Sequence, residues 1–240
     1  MQCFNCWETG HRKHQCKNDR KCRVCRETGH APGSSECKHY VDPTNSGDVI
    51  AFQGKSHPLS NFYPCHLNVF GEKHKSAEHA YQMTKAIRAG DLEAAKKVRE
   101  AGTALDAKRI GHTVKDPQGW HKEKETVMEE IVSAKVEQIP EVKAKLENSN
   151  SSTIFAEGTF DMQWGTGLDV DATLHTDHKK WPGENKLGKI YQRIASKLTR
   201  KLRSSSLPRR GATNEGQSNI EDFLKDLKKG RKKNDKSDAG

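Results

Sequence analysis

The sequence predicts an α+β protein, mainly helical with a small sheet, preceded by two small cysteine- and histidine-rich modules and followed by a basic, largely disordered tail. Three observations carry this expectation. Six of the seven cysteines fall between Cys3 and Cys37. Across residues 49–198 apolar side chains recur mainly at helical spacing, interrupted by three short β-rich runs. Residues 1–40 carry eight Lys and Arg against four Asp and Glu, residues 197–240 thirteen against six, and the middle is close to neutral within a net charge of +10.

Hydrophobic residues make up 32% of the chain and charged residues 31%, so a modest globular domain with unpacked flanks is expected. The basic ends can attract phosphate backbones without belonging to the central domain's site, although the tail's charge has an equal claim to being solubilising. No apolar run approaches 18 residues and no signal-peptide core is visible. That predicts no membrane contact and an intracellular setting, cytoplasmic or nuclear. In a reducing compartment clustered cysteines imply metal rather than disulfides.

Residues 1–40 hold the first module pair. Cys3, Cys6, His11 and Cys16 place three thiolates and an imidazole within a segment too short for a core but long enough to wrap one tetrahedral Zn2+. Cys22, Cys25, His30 and Cys37 repeat the set, with a last gap two residues longer that Pro32 to Ser35 can loop out; His39 is an alternative fourth ligand. Gly10 and Gly29 precede the two histidines, and His14 reads as an unliganded surface residue. Both sets resemble the CCHC zinc knuckles of retroviral and retrotransposon Gag-type proteins. In such knuckles an aromatic stacks on an unpaired base while basic residues hold phosphates, so the resemblance implies single-stranded RNA or DNA as partner. Phe4 and Trp7 are then the stacking candidates, with Arg12 and Lys13 nearest among the phosphate contacts. The second set has Arg23 and Val24 where an aromatic is expected, which makes it a spacer or a protein contact.

Residues 41–48 are rich in turn formers and read as a linker. Strands are predicted at residues 49–52, 67–70 and 153–157, and helices at 76–86, 91–101, 104–110, 120–139, 141–146 and 190–202. Pro140 breaks the fifth of these from the fourth. The helix from Ser76 is the polar one. Glu78, Gln82 and Lys85 lie at i, i+4 and i+7 and share a stripe, with Ala80, Met83, Thr84 and Ile87 on the other side. Two loops, at residues 159–168 and 181–188, combine an acid, tryptophans and glycines that let backbone approach a ligand.

Leu59 to Phe62, Ala77-Glu78-His79-Ala80-Tyr81-Gln82 through Lys85, Ala107-Lys108-Arg109-Ile110-Gly111, Trp120, Val127-Met128, Lys135 to Gln138, Asp161 to Gly167 and Gly183 to Gly188 occur in one order and spacing. That set resembles the YbiA-like, or NADAR, family over roughly residues 49–198. The resemblance implies an N-glycosidase of mixed α+β fold that cleaves the bond between a nitrogen and ribose C1. Its substrate would be a phosphorylated N-riboside, either a riboflavin-pathway intermediate or ADP-ribose attached to guanine. No catalytic cofactor is implied.

The residues support such chemistry in two ways. Glu78, if buried, can activate water or a ribose hydroxyl; Lys85 can instead attack an opened ribose aldehyde and form a Schiff base, unless it pairs with Glu78. Asp161 is either the complementary acid or a ribose holder. Phe62, Trp120 and Trp164 offer faces for a base, Asn61, Gln82 and Asn185 offer amides, Gly165 offers backbone, and Arg109 a phosphate fork. Met83, Val127 and Ile131 read as core, His79 as structural and Cys65 as a buried thiol. In the tail, residues 219–229 form a short amphipathic pattern for a partner or for self-docking, and residues 228–233 a basic run. The competing expectation is a nucleic-acid-binding protein whose central domain recognises a nucleotide-like ligand without catalysis.

Overall fold

The computed structural model describes Cys3, residues 5–42 and residues 48–206, with the backbone alone for residues 201–206. Phe4, most of the 41–48 linker, the amphipathic pattern at 219–229 and the basic run at 228–233 lie outside the described residues. Two small sheets and seven helices follow one another among these residues. Strands β1 (Val49–Phe52) and β4 (Ile154–Glu157) pair in parallel, Phe52 opposite Glu157. Strands β2 (Leu67–Val69) and β3 (Glu72–His74) form an antiparallel hairpin. The strand expected over residues 67–70 ends at Val69. The turn is Phe70 and Gly71, both at positive φ, the geometry of a tight two-residue hairpin, and Glu72 already belongs to the returning strand.

Helix α1 spans Ala77–Arg88 and is capped by Ser76, whose side chain accepts the His79 N–H. Asp91 caps α2 (Leu92–Glu100) and Thr103 caps α3 (Ala104–Thr113) in the same way. Helix α4 (Trp120–Gln138) ends before Pro140, which opens α5 (Pro140–Glu147). A short α6 (Val170–Leu174), absent from the sequence expectations, precedes α7 (Lys186–Ser206), which begins earlier and runs further than the 190–202 segment expected. Residues 203–206, beyond the helix expected, therefore continue it. Helix α1 is not a solvated face: Glu78, His79, Ala80, Tyr81, Gln82, Met83 and Ala86 are all buried, whereas Ile87 is exposed.

The core brings α7, α4 and the β1/β4 pair together. The Tyr191 ring meets Phe52 edge-on at 5.6 Å and Phe155 at 6.1 Å, and its hydroxyl donates to the Leu59 carbonyl at 2.7 Å. Burying aromatic and aliphatic side chains of this size contributes about 1.5–3 kcal/mol each. Lys135 is fully buried on α4 and donates to the Ser60 carbonyl at 2.6 Å; burial pulls its amine down to about 8. Tyr191 and Lys135 together fix, from beneath, the turn that presents Asn61 and Phe62. His79 is structural as expected, its ring bonded to Ser76 and to the Ala101 carbonyl. Cys65 is half-buried rather than buried, and desolvation raises its thiol.

Candidate active site

A cleft of about 500 Å³ opens between α1, the Ser60–Phe62 turn, the facing sides of α3 and α4, and the loop that follows β4. That is a volume suited to a nucleotide-sized ligand. Glu78, Gln82 and Lys85 line it together, as their spacing on one helix face requires. The Gln82 Nε2 donates to Glu78 Oε1 at 2.7 Å. The amide oxygens of Gln82 and Asn61 are buried without a hydrogen-bond partner among the described residues. Gly111 makes this possible: a Cβ there would stand 1.8 Å from the Gln82 Oε1.

Two carboxylates in the cleft are pushed towards neutrality. Burial raises Glu78, opposed by the Gln82 hydrogen bond and by the Lys108 charge. Glu157, at the end of β4, goes from the ordinary value of 4.5 to about 8, first through desolvation and then through the negative charges of Asp161 and Glu78. It opens towards the cleft but is otherwise withdrawn from solvent. Lys108 opposes the rise at both groups and lies 5.6 Å above the Phe62 ring. Sequence reasoning did not single out Glu157 or Lys108 as site residues. The signal for Lys108 was its phase on α3; Glu157 had none, because strand register alone carries it into the cleft.

Several expected roles shift. Lys85 pairs not with Glu78 but with Asp116, at 2.9 Å, and donates to the Gly111 carbonyl at 3.2 Å. Arg109 leaves the cleft: it is exposed and pairs with Asp106, since the helix turns Lys108 inward and Arg109 outward. Asn185 is buried in a left-handed conformation, its Nδ2 donating to the Phe155 carbonyl at 2.8 Å and its Oδ1 accepting the Glu157 N–H at 3.1 Å. It is not among the residues that line the cleft, and it holds the backbone of Glu157, which is. Gly165 likewise serves packing, because a Cβ would fall 2.3 Å from Thr159 Oγ1 and 2.9 Å from the Glu157 carbonyl. Asp161 lines the cleft, and its Oδ1 accepts the Gln163 and Trp164 N–H groups at 2.8 Å each, which shapes the loop.

Phe62, Trp120 and Trp164 all line the cleft, joined by Phe160 and Tyr81. Tyr81 packs on Trp120 at 5.4 Å and edge-on to Trp164 at 5.6 Å, so the walls brace one another.

Residues 51–199 match the family described as the NADAR domain. The chain belongs to the NADAR family. An N-glycosidase of Acanthamoeba polyphaga mimivirus is 30% identical over 149 residues, covering 59% of this chain and 88% of the relative. N-glycosidase YbiA of Escherichia coli is 27% identical over 142 residues, 58% of this chain and 80% of the relative. A riboflavin biosynthesis protein of Vibrio vulnificus is 30% identical over 142 residues, 58% of this chain and 35% of the relative. The solution structure of E. coli YbiA superposes with a TM-score of 0.54 at 22% identity, covering 75% of this chain and 99% of that one, and shares the mainly helical α+β fold.

Ahead of the NADAR domain, both Cys/His sets are assembled. The ligand atoms of Cys3, Cys6, His11 and Cys16 lie within 4.8 Å of one another, as do those of Cys22, Cys25, His30 and Cys37, so each set can hold a metal ion. Cys37 and not His39 completes the second set; the His39 carbonyl accepts the Asp177 N–H instead. Amide donors surround the first set's sulfurs: Asn5 N to Cys3, Asn5 Nδ2 to Cys16 and Asn18 Nδ2 to Cys6, at 3.4–3.5 Å. Such donors stabilise thiolates. His14 is exposed, as expected, and Arg12 and Lys13 are exposed on the first set's surface, while the Trp7 ring is covered by Arg23 and Arg26.

Proposed function

We propose that this protein is an N-glycosidase that hydrolyses the N-ribosyl bond of a phosphorylated nucleotide-like substrate, with zinc in both knuckles and single-stranded nucleic acid held on their basic surface. ADP-ribosylated guanine within a nucleic acid is the substrate that unites the two parts. The carrying observation is the pair of burial-raised carboxylates, Glu78 and Glu157, facing Lys108 in an aromatic-walled cleft. The names of the mimivirus and E. coli relatives support the same reaction class.

In this reading Glu157, pushed up to about 8 by burial, donates to the leaving nitrogen as the C1–N bond breaks. Glu78, whose burial-driven rise is opposed by the Gln82 hydrogen bond and the Lys108 charge, takes a proton from the water that adds to C1. Atoms balance: water supplies the hydroxyl at C1, and the base departs protonated. Lys85, the amine expected for a Schiff-base route, and Lys108 both line the cleft. Borohydride added during turnover distinguishes the routes, since a covalent adduct on either lysine supports the amine and its absence supports water.

Zinc suits the donor sets. With Zn–S of about 2.3 Å and Zn–N of about 2.0–2.1 Å, a tetrahedral site has ligand edges of roughly 3.5–3.8 Å. Cys6 and His11 are 3.4 Å apart, Cys25 and His30 3.1 Å, and Cys22 and Cys37 3.9 Å.

The test is release of ADP-ribose from a guanine-modified single-stranded DNA by the full chain. Release establishes the glycosidase; none, with phosphorylated riboflavin-pathway intermediates also left intact, favours a cleft that only binds. Gly111→Ala is a sensitive companion. Its Cβ must displace Gln82 and break the bond to Glu78, so release is expected to fall by about tenfold, the worth of one hydrogen bond to a charged group. Unchanged release would remove Gln82 from the mechanism.

A further inference from the structure

The second knuckle carries Arg23 where a base-stacking aromatic is expected, and the structure gives that arginine another task. Its Nη1 donates to the Gly167 carbonyl at 2.7 Å. Its guanidinium carbon lies 4.9 Å from the centroid of Trp7, on the first knuckle, and 4.9 Å from that of Phe160. Phe160 lines the cleft although its side chain is 61% exposed. An exposed ring at a cleft mouth keeps one orientation only if something outside the cleft holds it. Here that contact comes from the knuckles.

The attachment is broad enough to transmit order. The Val41 N–H donates to the His175 carbonyl and the Asp177 N–H to the His39 carbonyl, both at 3.1 Å. The Tyr40 ring stacks on His175 at 5.8 Å. Gly33 lies so close to α6 that a Cβ would come 2.7 Å from the Ala172 Cα. The second knuckle is thereby fastened to residues 172–177, and Arg23 extends from it back to the Phe160–Gly167 loop. On its other side that loop is held by the Gly183 and Asn185 N–H groups, which donate to the Thr166 and Gly165 carbonyls. Among the described residues, Arg23 stacks on the Phe160 ring.

We propose that Arg23 is a positioning residue: through its stack on Phe160 and its bond to the Gly167 carbonyl, the metal-loaded second knuckle fixes the aromatic lip of the cleft. Substrate affinity then depends on a metal ion that touches no reacting atom. The metal folds the knuckle, the knuckle places Arg23, and Arg23 places Phe160. The inference rests on the glycosidase reading only for its kinetic consequence.

The test uses the full chain, wild type and Arg23→Ala, with bound zinc quantified to show that both knuckles stay loaded. Hydrogen exchange of the residues 160–167 amides is expected to quicken by about tenfold in the variant. KM for the ADP-ribosylated oligonucleotide should rise by about tenfold while kcat stays within about twofold, the result of losing a cation–π stack and a charge-assisted hydrogen bond. Arg23→Lys, which keeps the charge and loses the planar stack, should fall with Arg23→Ala. Chelating zinc from the wild type should quicken the same amides and have little further effect in the variant, because the two changes cut one chain of contacts. Unchanged exchange in a zinc-loaded variant overturns the proposal, as does a fall in kcat at constant KM. Faster exchange in a protein that cleaves no substrate leaves the lip contact standing and sinks the glycosidase reading instead.

Discussion

Glu78→Gln is expected to lower base release by at least about a hundredfold, the usual contribution of a positioned general base, without loss of fold. The amide has nearly the same shape, and its oxygen can still accept from Gln82 Nε2, which now bonds the carboxylate at 2.7 Å. Stability should not suffer. Burial raises Glu78, so any stabilisation it gives through protonation is complete below the ordinary carboxylate range and is lost as pH rises through its folded value. Above that value the wild type holds an unfavourable buried charge that the amide lacks. Base release by chromatography and a thermal melt at neutral pH check both halves. Full activity in a folded variant would end the role assigned to Glu78.

Glu157→Gln should separate stability from catalysis more sharply. The wild-type rate is expected to decline as pH passes about 8, where Glu157 loses the proton it gives to the leaving nitrogen, and the variant should lose that alkaline limb along with about a hundredfold in rate. Its folded value lies above its unfolded one. The stability it brings is therefore present below 4.5 and disappears across the interval from 4.5 to about 8. Near pH 5 variant and wild type should melt together. At pH 8.5 the variant should be more stable by on the order of 4 kcal/mol, roughly 10 °C in a domain of this size. A gap that is the same at both pH values would show that burial at this carboxylate is not the cause. Asn185 strengthens the point: its Oδ1 fixes the Glu157 backbone, so the fold commits a buried asparagine to presenting a carboxylate that destabilises it at neutral pH.

Much of this was written in local sequence. The spacing of Glu78, Gln82 and Lys85 placed three polar groups on one helix face, and all three reach the cleft. The cysteine and histidine spacings specified two metal sets whose ligand atoms do converge. The start of α2 at Asp91 and the break at Pro140 followed from single residues whose backbone preferences are strong. The tight turn at Phe70 and Gly71 was misread because Phe70, a strand former by type, adopts positive φ there.

What local pattern could not decide was which surfaces meet. Periodicity says that residues share a face, not what that face packs against. Lys108 and Arg109 are adjacent and equally basic, yet only the packing of α3 on α1 turned the first towards two carboxylates and the second to Asp106 and solvent. Glu157 ends an ordinary strand in sequence; the parallel pairing of β4 with β1 and the grip of Asn185 bring it into the cleft and withdraw it from water. Arg23 read as a departure from a nucleic-acid-binding pattern until the fold put Gly167, 144 residues away, within hydrogen-bond reach. The sequence by itself determined most of the helices, the two Cys/His sets and the polar stripe of α1, because each depends on neighbours a few residues away. The tertiary structure alone decided which carboxylates are desolvated and which arginine braces the lip, because desolvation and long-range contact are properties of what the rest of the chain brings alongside.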